Sequence, residues 1–410
     1  MRLQFTIDDS RLTIHDSRPN SLFPDILQPR VTTACSYENV WYYVAYTLNA
    51  HKTLFLRRWK WIFFKTSHIQ AATIHKIRHL LPLMAKKVTK IGVLTSGGDA
   101  PGMNAAIRAV VRTAIYNGIE VFGIMRGYQG MIDDDIVKME SKSVANIIQR
   151  GGTILKTARC KEFFDAAGRK KAYSNLKKRG INGLVIIGGD GSFRGAVKLS
   201  QECNIPCIGL AGTIDKDIHG SDFTIGFDTA VNTAVRAIDK IRDTMDAHDR
   251  IFIIEVMGRD AGYIALHSGI ATGAENILIP ERKTDIDDII RSLKEKERRK
   301  KLVNLIVVAE GDGFGGANEV QKVLEKNLPN AEIRVAILGH IQRGGSPTCI
   351  DRLIASRMGY HAVESLMEGR HNVFVGIHNN KMHYIPLEQA VKNKGNISEE
   401  WMKIVKILAS

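Results

Sequence analysis

Residues 188–192, with the sequence Gly-Gly-Asp-Gly-Ser, combine residue types that suit phosphate and metal binding. They follow an apolar run at residues 184–187 and precede a helical pattern over residues 193–202. Glycines let the backbone approach a bulky anion, and the N–H groups at the start of a helix favour phosphate. Asp190 is a hard oxygen ligand of the kind that Mg²⁺ shares with substrate phosphates. The alternative is an ordinary surface turn rich in Gly and Asp.

A second polar segment, residues 212–217 with the sequence Gly-Thr-Ile-Asp-Lys-Asp, follows the apolar run at residues 207–210. In an extended segment Asp215 and Asp217 point the same way, so one could accept a proton from a hydroxyl while the other orients or binds a metal. Both segments follow strands that are one helix apart, and open α/β sheets bind ligands at the carboxyl ends of such strands. The pair therefore favours phosphoryl transfer over two ordinary turns.

An α/β pattern extends on both sides of these segments. Residues 91–94 form a predicted strand that ends in the sequence Thr-Ser-Gly-Gly-Asp-Ala-Pro-Gly, which resembles a further phosphate loop. Further strands are predicted at residues 121–124, 251–256, 277–279, 302–309 and, as the final one, 335–338; helices are predicted at residues 103–116 and 228–247. The length and pattern predict two α/β domains with mainly parallel sheets.

Several cationic residues lie beside these predicted loops. Arg250, Arg259, Arg334 and Arg343 suggest bidentate capture of a phosphorylated substrate. Arg159 follows a glycine pair at residues 151–152 and could neutralise phosphate charge. On residue type alone, Arg159 and Arg343 could equally be surface arginines and His340 a core histidine.

The composition narrows the class of protein. The net charge is +15 and no ladder of alternating basic and aromatic residues occurs, so anionic metabolites are expected as partners, not nucleic acid or a membrane surface. No apolar stretch reaches the ~18 residues that a membrane span needs. Five cysteines without metal-ligand spacing indicate thiols in a reducing compartment, and the expected location is cytoplasmic.

Residues 1–83 differ from the rest of the sequence. They contain three of the four tryptophans and none of the 36 glycines. The layout is not that of a signal peptide, and its acidic residues argue against a transit peptide. The preferred hypothesis is an atypical extension that is disordered, or a mis-called start upstream of Met84. The alternative is a genuine interaction arm.

From Lys86 to its end, the chain resembles the bacterial ATP-dependent 6-phosphofructokinases. The resemblance rests on motifs in the same order along the chain, at residues 97–104, 189–192, 212–215, 257–259 and 339–345. It implies the phosphofructokinase fold and a homotetramer of two-domain subunits. The implied ATP-binding domain comprises residues 84–226 plus about 342–393, and the fructose 6-phosphate domain comprises residues 227–341 plus about 394–410. The implied reaction transfers the γ-phosphate of ATP to O1 of fructose 6-phosphate in glycolysis.

The resemblance also implies the roles of individual residues. Asp215 would be the catalytic base, assisted by Arg159, Thr213 and Arg259. The ATP site would comprise Gly98, Arg159, Cys160, Gly189, Asp190, Gly191 and Ser192, with Mg²⁺ on Asp190. The sugar phosphate would be held by Thr213, Asp215, Asp217, Met257, Gly258, Arg259, Glu310, His340 and Arg343, with Arg250 and Arg334 supplied by a neighbouring subunit. ADP or phosphoenolpyruvate would bind an effector site at Arg108, Arg112, Arg242, Glu275, Arg299 and Lys301.

The sequence departs from the family pattern at several positions. Lys216 replaces the usual asparagine after the base, and we expect its charge to lie close enough to lower the pKa of Asp215. Cys160 replaces an aromatic residue of the adenine loop. Ser141, Asn146 and Val303 replace an arginine, an aspartate and a histidine of the effector site, so effector control is in doubt.

Two alternative functions remain at this stage. One is a pyrophosphate-dependent phosphofructokinase, in which relatives carry Asp and Lys where this chain has Gly191 and Gly212. Glycine at both positions leaves room for the adenosine half of ATP. The other is a non-catalytic metabolite sensor that has lost turnover through Lys216.

Overall fold

The computed structural model describes residues 3–8, 11–16, 88–245, 250–298, 304–392 and 397–408. Strands β1 (Leu3–Asp8) and β2 (Arg11–Asp16) form an antiparallel hairpin, of which only the backbone is described. Most of residues 1–83 lies outside the described residues, so the hypotheses for that segment stay predictions. Arg299, Lys301 and Val303 also lie outside them.

A seven-stranded sheet forms the larger layer of the region after residue 84. Its strands, in spatial order, are β13 (Lys381–Pro386), β12 (Val373–His378), β7 (Cys207–Ala211), β6 (Gly183–Gly188), β3 (Lys90–Ser96), β4 (Glu120–Ile124) and β5 (Ile136–Met139). The pairs from β12 to β4 are parallel, and only the two outer pairs are antiparallel. Strands β6 and β7 are buried along their whole length, as parallel strands covered on both faces should be.

A second sheet has four strands, all parallel. Its order is β11 (Ile333–Ile337), β8 (Ile251–Val256), β10 (Asn304–Ala309) and β9 (Asn276–Leu278). The prediction of α/β architecture with mainly parallel sheets is confirmed by these two layers.

Helices connect the strands. They are α1 (Met103–Tyr116), α2 (Tyr128–Asp133), α3 (Ala166–Lys178), α4 (Asp190–Cys203), α5 (Phe227–Met245), α6 (Tyr263–Ala271), α7 (Ile286–Arg298), α8 (Ala317–Asn327), α9 (Cys349–Met367), α10 (Leu387–Lys392) and α11 (Glu399–Leu408). Within the described ranges, none of the helices is both long and apolar enough to cross a membrane.

The sequence analysis was wrong in treating residues 335–338 as the final strand. β12 and β13 follow it and form a hairpin at one edge of the larger sheet. Its turn is Asn379-Asn380, with φ values of 49° and 60°. Asparagine tolerates positive φ, and a tight hairpin turn requires it at both central positions, so an Asn-Asn pair could have identified this turn.

The first residues of α5 and α9 are joined by buried polar groups. Asp351 of α9 is fully buried and accepts hydrogen bonds from the backbone N–H groups of Gly226 and Thr229, each at 2.8 Å. The Thr229 hydroxyl donates a third, at 2.5 Å. Asp351 therefore supplies the acceptors that the start of α5 would otherwise lack.

Candidate active site

The predicted functional loops all follow the carboxyl ends of strands, and contacts between side chains connect the loops of the two sheets. The Arg259 guanidinium, in the loop after β8, lies 3.2 Å from the Asp217 carboxylate, in the loop after β7. Arg343, after β11, donates to the carbonyl oxygen of Asp99, after β3, at 3.2 Å. The site is thus built from both sheets.

The first phosphate loop, residues 97–102, is closed on one side by Arg343. A Cβ atom at Gly98 would lie 2.5 Å from Nη1 of Arg343, which is closer than such atoms approach in proteins. A side chain at position 98 would therefore require the guanidinium, the flexible end of Arg343, to shift from its place beside this loop. This contact brings together Gly98, assigned to ATP, and Arg343, assigned to the sugar phosphate, and both assignments stay predictions.

Asp190 is the first residue of α4 and follows Gly189 directly. Both of its carboxylate oxygens lie 3.1 Å from Nε of Arg194, one helical turn on, and this arginine is mostly exposed. Within the described residues, no group of three or more His, Cys, Asp or Glu side chains is arranged to hold a metal ion. A single carboxylate fits Mg²⁺ of the kind that keeps several waters and shares phosphate oxygens.

Asp215 has the electrostatic features of a general base. It is 6% exposed, and among the described residues its Oδ1 has no hydrogen-bond partner. Burial, reinforced by the nearby Asp217 carboxylate, raises its pKa to about 6, although Arg343 and Arg259 oppose this. Its backbone N–H donates to the Thr213 hydroxyl at 3.2 Å. The group is ionised at pH 7 and retains an oxygen that can accept a proton.

The sugar-side loop, residues 257–262, is held by Glu310. One carboxylate oxygen of Glu310 accepts from the backbone N–H groups of Arg259 at 2.7 Å and Gly258 at 3.3 Å. Gly258 has a φ of 145°, and a Cβ there would lie 2.3 Å from the Ala261 carbonyl oxygen, so only glycine fits. In this chain Glu310 therefore fixes the backbone that presents Arg259.

One expectation about Lys216 was wrong. The segment is not extended there, because Lys216 has a φ of 56° in the left-handed region. Its ammonium lies 5.0 Å from the ring centroid of Phe227 and 5.1 Å from that of Tyr263, and its effect on the pKa of Asp215 stays a prediction. Asp215 and Asp217 still come close to one another, as predicted, but by a turn and not by an extended backbone.

The two glycines used to infer the phosphate donor differ in their surroundings. A Cβ at Gly191 would meet nothing within 4 Å. A Cβ at Gly212 would lie 2.9 Å from the buried side chains of Ile187 and Met103. The expectation that both glycines leave room for a donor was wrong for Gly212, since its free side faces the core. The open space is beside Gly191.

The Phosphofructokinase family profile matches residues 90–366. The ATP-dependent 6-phosphofructokinase of Halalkalibacterium halodurans is 57% identical over 315 residues, which cover 77% of this chain and 98% of the relative. ATP-dependent 6-phosphofructokinase 2 of Bacteroides thetaiotaomicron is 52% identical over 319 residues, covering 78% and 98%.

This chain belongs to the phosphofructokinase family. Among solved structures, the phosphofructokinase of Saccharomyces cerevisiae matches with a TM-score of 0.70 and 37% identity, covering 74% of this chain and 45% of the yeast chain. This chain therefore spans less than half of that yeast chain. The pyrophosphate-dependent phosphofructokinase of Marinobacter aquaeolei has a TM-score of 0.68 at 21% identity, a likeness that concerns the fold alone.

Arg250 and Arg334, which were predicted for the phosphofructokinase substrate site, lie far from Asp215 and Arg259 within the same subunit. Arg250 precedes β8, and Arg334 pairs with Phe252 near the amino end of that strand. The carboxyl end, where Arg259 follows, is a six-residue strand away, roughly 20 Å. Glu332 contacts both, with its Oε2 2.9 Å from Nε of Arg250. This placement agrees with the expectation that they serve another subunit, which stays a prediction.

Other predicted residues occupy the loops without a recorded contact to Asp215. Arg159 is exposed and Cys160 half-buried in the segment before α3, while Met257 is buried and His340 exposed. Burial raises the pKa of the Cys160 thiol. Ser192 is buried in the first turn of α4. Their roles toward nucleotide and sugar stay predictions.

The effector residues fall into two places in the described part of the chain. Arg108 and Arg112 lie on α1, one turn apart. Arg242, on α5, donates to the Thr272 carbonyl oxygen, and Glu275 accepts from the backbone N–H of Leu305 at 2.8 Å. The binding of an effector by these residues stays a prediction.

Sequence reasoning gave no role to Asn104 or Tyr128, although both brace phosphate loops. Asn104 is buried in α1; its amide donates to the carbonyl oxygens of Arg150 and Gly151 and accepts from the N–H of Ile154. The Tyr128 hydroxyl donates to the Ser192 carbonyl oxygen at 2.5 Å. Asn104 ends the quoted motif of residues 97–104, and a buried polar residue there was an available signal.

Proposed function

We propose that this chain transfers the γ-phosphate of ATP to O1 of fructose 6-phosphate, giving fructose 1,6-bisphosphate and ADP. One observation carries the proposal: Asp215, a buried carboxylate with a free oxygen and a pKa near 6, lies in the loop after β7, where the charges of Arg343 and Arg259 act on it. The names of the closely similar bacterial relatives support the same reaction and the same donor.

The proposed mechanism combines positioning with charge stabilisation, as phosphoryl transfer requires. Free Oδ1 of Asp215 accepts the proton of the O1 hydroxyl as that oxygen attacks. Thr213 orients the loop through its contact with the N–H of Asp215. Arg159 and the N–H groups at the start of α4 offset charge on the transferring phosphoryl group.

The 6-phosphate of the sugar is assigned to cationic side chains around the loop after β8. Arg259 and His340 come from the same chain, while Arg250 and Arg334 would come from a neighbouring subunit. Glu310 accepts hydrogen bonds from the backbone N–H groups of Gly258 and Arg259. These bonds fix the backbone position from which the Arg259 side chain extends. Bidentate arginine contacts would then keep O1 in line with the donor phosphate.

The proposal includes Mg²⁺, which Asp190 would bind. When bound, it would neutralise charge on the donor phosphates. Asp190 would exchange its contact with Arg194 for the metal, and Arg194 is exposed enough to move aside.

The same proposal includes the organisation of the molecule. Residues 84–226 plus about 342–393 would form the ATP domain around the larger sheet, and residues 227–341 plus about 394–410 would form the sugar domain around the smaller one. A homotetramer, an effector site for ADP or phosphoenolpyruvate, and a cytoplasmic location are part of it. Cys160, Cys203, Cys207 and Cys349 are unpaired, which suits a reducing compartment.

ADP release by the full chain, measured with fructose 6-phosphate and Mg²⁺, tests the reaction. ATP and pyrophosphate are compared as donors, and we expect turnover with ATP only. Absence of turnover with either donor would favour a sensor, and a preference for pyrophosphate would favour the other class of kinase.

Substitution of Gly191 tests how the donor is selected. Gly191→Asp places a carboxylate in the open space beside the loop and should weaken ATP use by repelling its phosphates. Gly191→Ala is the matched control, since it fills the same position without charge. Equal loss in both variants would show that bulk, and not charge, is excluded there.

A further inference from the structure

Lys216 lies in a box formed by aromatic side chains beside the proposed base. Its Nζ is 5.0 Å from the ring centroid of Phe227 and 5.1 Å from that of Tyr263. Both distances are within the ~6 Å over which a cation is attracted to a ring face. Its side chain is therefore placed by two rings and points away from Asp215.

The rings belong to the starts of two helices. Phe227 is the first residue of α5, and Tyr263 is the first residue of α6. The loop that precedes α6 carries Gly258 and Arg259. Through Tyr263, Lys216 therefore connects the loop after β7 with the loop after β8.

The other groups around the box do not compete for the ammonium. His267 packs edge-on against Phe227, with centroids 5.1 Å apart, and Trp401 covers its other side at 5.6 Å. Burial, assisted by Lys216 itself, lowers the pKa of His267 to about 4, so the imidazole is neutral at pH 7. Asp222 is the carboxylate that acts on Lys216, and burial outweighs it and lowers the lysine pKa.

The contact of Lys216 with the two rings matters because the backbone of Lys216 has a left-handed conformation. Lys216 has a φ of 56°, a conformation that asparagine adopts readily and lysine does not. The usual asparagine of the family would accept this turn by itself. With lysine the turn is less favourable than with asparagine, and the contact with the two rings offsets part of this cost.

The turn at Lys216 sets the directions of its two neighbours. Asp215 faces the reacting groups with a free oxygen, and Asp217 is paired with Arg259. The charges that act most strongly on Asp215 are those of Asp217, Arg343, Arg259 and Glu310, so any direct effect of Lys216 on the base is smaller than theirs.

We propose that Lys216 is a positioning residue for phosphoryl transfer: its ammonium, held between Phe227 and Tyr263, fixes the left-handed turn that aims Asp215 and joins it to the Arg259 loop. The inference rests on the proposed function for its kinetic consequence. Its structural consequence can be measured without substrates.

The kinetic test compares Lys216→Met, Lys216→Arg and Tyr263→Leu in the full chain. Methionine keeps the length and loses the charge, so kcat should fall roughly 10-fold, the size of one partly buried cation–π pair, with the KM for ATP unchanged. Arginine retains attraction to the rings and should keep kcat within about 3-fold of the wild type. Lys156→Met is the matched control, since Lys156 is an exposed lysine with a φ of 59°.

A double variant and a pH profile separate positioning from a direct charge effect. Lys216→Met combined with Tyr263→Leu should be no slower than Lys216→Met alone, because Tyr263→Leu removes one of the two contacts that Lys216→Met already removes. The acidic limb of the pH profile should stay in place, because Lys216 does not set the pKa of Asp215. Additive losses or a displaced limb would overturn the proposal.

Hydrogen exchange of the substrate-free protein tests the same contact independently of activity. Lys216→Met should increase exchange at residues 213–217 and 258–262, whereas Lys216→Arg and Lys156→Met should not. Unchanged exchange in Lys216→Met would overturn the proposal even if the wild type were inactive. An inactive wild type with the expected exchange would instead contradict the proposed function alone.

Discussion

Asp215 and Asp351 are two buried carboxylates in different parts of the molecule, and burial is the main cause that raises the pKa of each to about 6. They differ in their partners. Asp351 accepts three hydrogen bonds from the start of α5, whereas Oδ1 of Asp215 has none among the described residues. A raised pKa therefore does not by itself mark a catalytic group. A free oxygen at the carboxyl ends of the strands narrows the choice to Asp215 and Asp217, and Asp217 is the one paired with Arg259.

The largest expected effect is on activity and separates the two carboxylates most clearly. Asp215→Asn should lower kcat by at least ~10²-fold, because the amide cannot accept the hydroxyl proton, with little change in the KM for ATP. Steady-state ADP release measures this. Near-normal kcat in this variant would remove Asp215 from the mechanism.

The same variant should be more stable than the wild type. An ionised, partly unpartnered carboxylate costs folding free energy, and its pKa shift of about two units corresponds to about 3 kcal/mol as an upper limit. The free energy of unfolding from urea titration at pH 7.5 checks the direction. A less stable Asp215→Asn protein would mean that the free oxygen has a partner in solution.

Asp351→Ala should show the opposite behaviour. It leaves the N–H groups of Gly226 and Thr229 without their acceptor, so the free energy of unfolding should fall by about 3 kcal/mol. The kcat of the folded protein should stay within about 3-fold of the wild type. If kcat instead fell as far as in Asp215→Asn, the two carboxylates would not be separable in this way.

The pH dependence of kcat/KM should also distinguish Asp215 from Asp351, with a smaller effect than the substitutions above. Protonated Asp215 cannot act as a base, so kcat/KM should fall about tenfold per unit as pH drops below about 6. Asp351→Asn should leave this acidic limb in place, since its carboxyl group does not take part in the reaction. A limb that moved in Asp351→Asn would link the two sites.

The free energy of unfolding should change with pH in the opposite direction to kcat/KM, falling as pH rises. A carboxyl group whose folded-state pKa is raised from 3.8 to about 6 binds its proton more tightly in the folded protein. Its contribution is therefore most favourable below about pH 4 and is lost as pH rises through about 6. The free energy of unfolding of Asp351→Asn should decline less than that of the wild type over this range, as urea titrations at several pH values would show.

The smallest effect should come from the hydroxyl partner of Asp351. Thr229→Val keeps the shape and removes two hydrogen bonds, the one donated to Asp351 and the one accepted from the backbone N–H of Thr348 at 3.0 Å, so the free energy of unfolding should fall by about 2 kcal/mol. Thr233→Val on the same helix is the control, because its hydroxyl bonds only within α5. Equal losses in both variants would mean that Asp351 gains nothing from the hydroxyl.

Local sequence patterns predicted the buried central strands and the loops that follow them. The buried runs ending at Gly188 and Ala211 became central parallel strands, and the strand at residues 251–256 matched exactly. The edge strand β13 was missed because its faces are partly exposed and its apolar run is weak, whereas β12, which lies between β13 and β7 with residues 374–377 buried, has an apolar run that was an available signal. For the site, the loops were found from Gly and Asp spacing.

Details that depend on tertiary contacts could not be predicted in the same way. The direction of Lys216 follows from a left-handed turn and from rings supplied by α5 and α6, which no local pattern contains. The buried contacts of Gly212 come from Ile187 and Met103 on other elements. The role of Asp351 became visible only once α9 was placed against the start of α5.

The close approach of Arg343 to Gly98 has a consequence for how this chain can change. The two positions are 245 residues apart in the chain, yet any side chain at position 98 would occupy the volume of the guanidinium. A saturation library at position 98, selected for activity, should therefore favour glycine and the smallest side chains, because a larger one has to displace the flexible end of Arg343. Larger residues should be recovered more often in a second library in which residue 343 is shortened, so that substitutions at the two positions occur together.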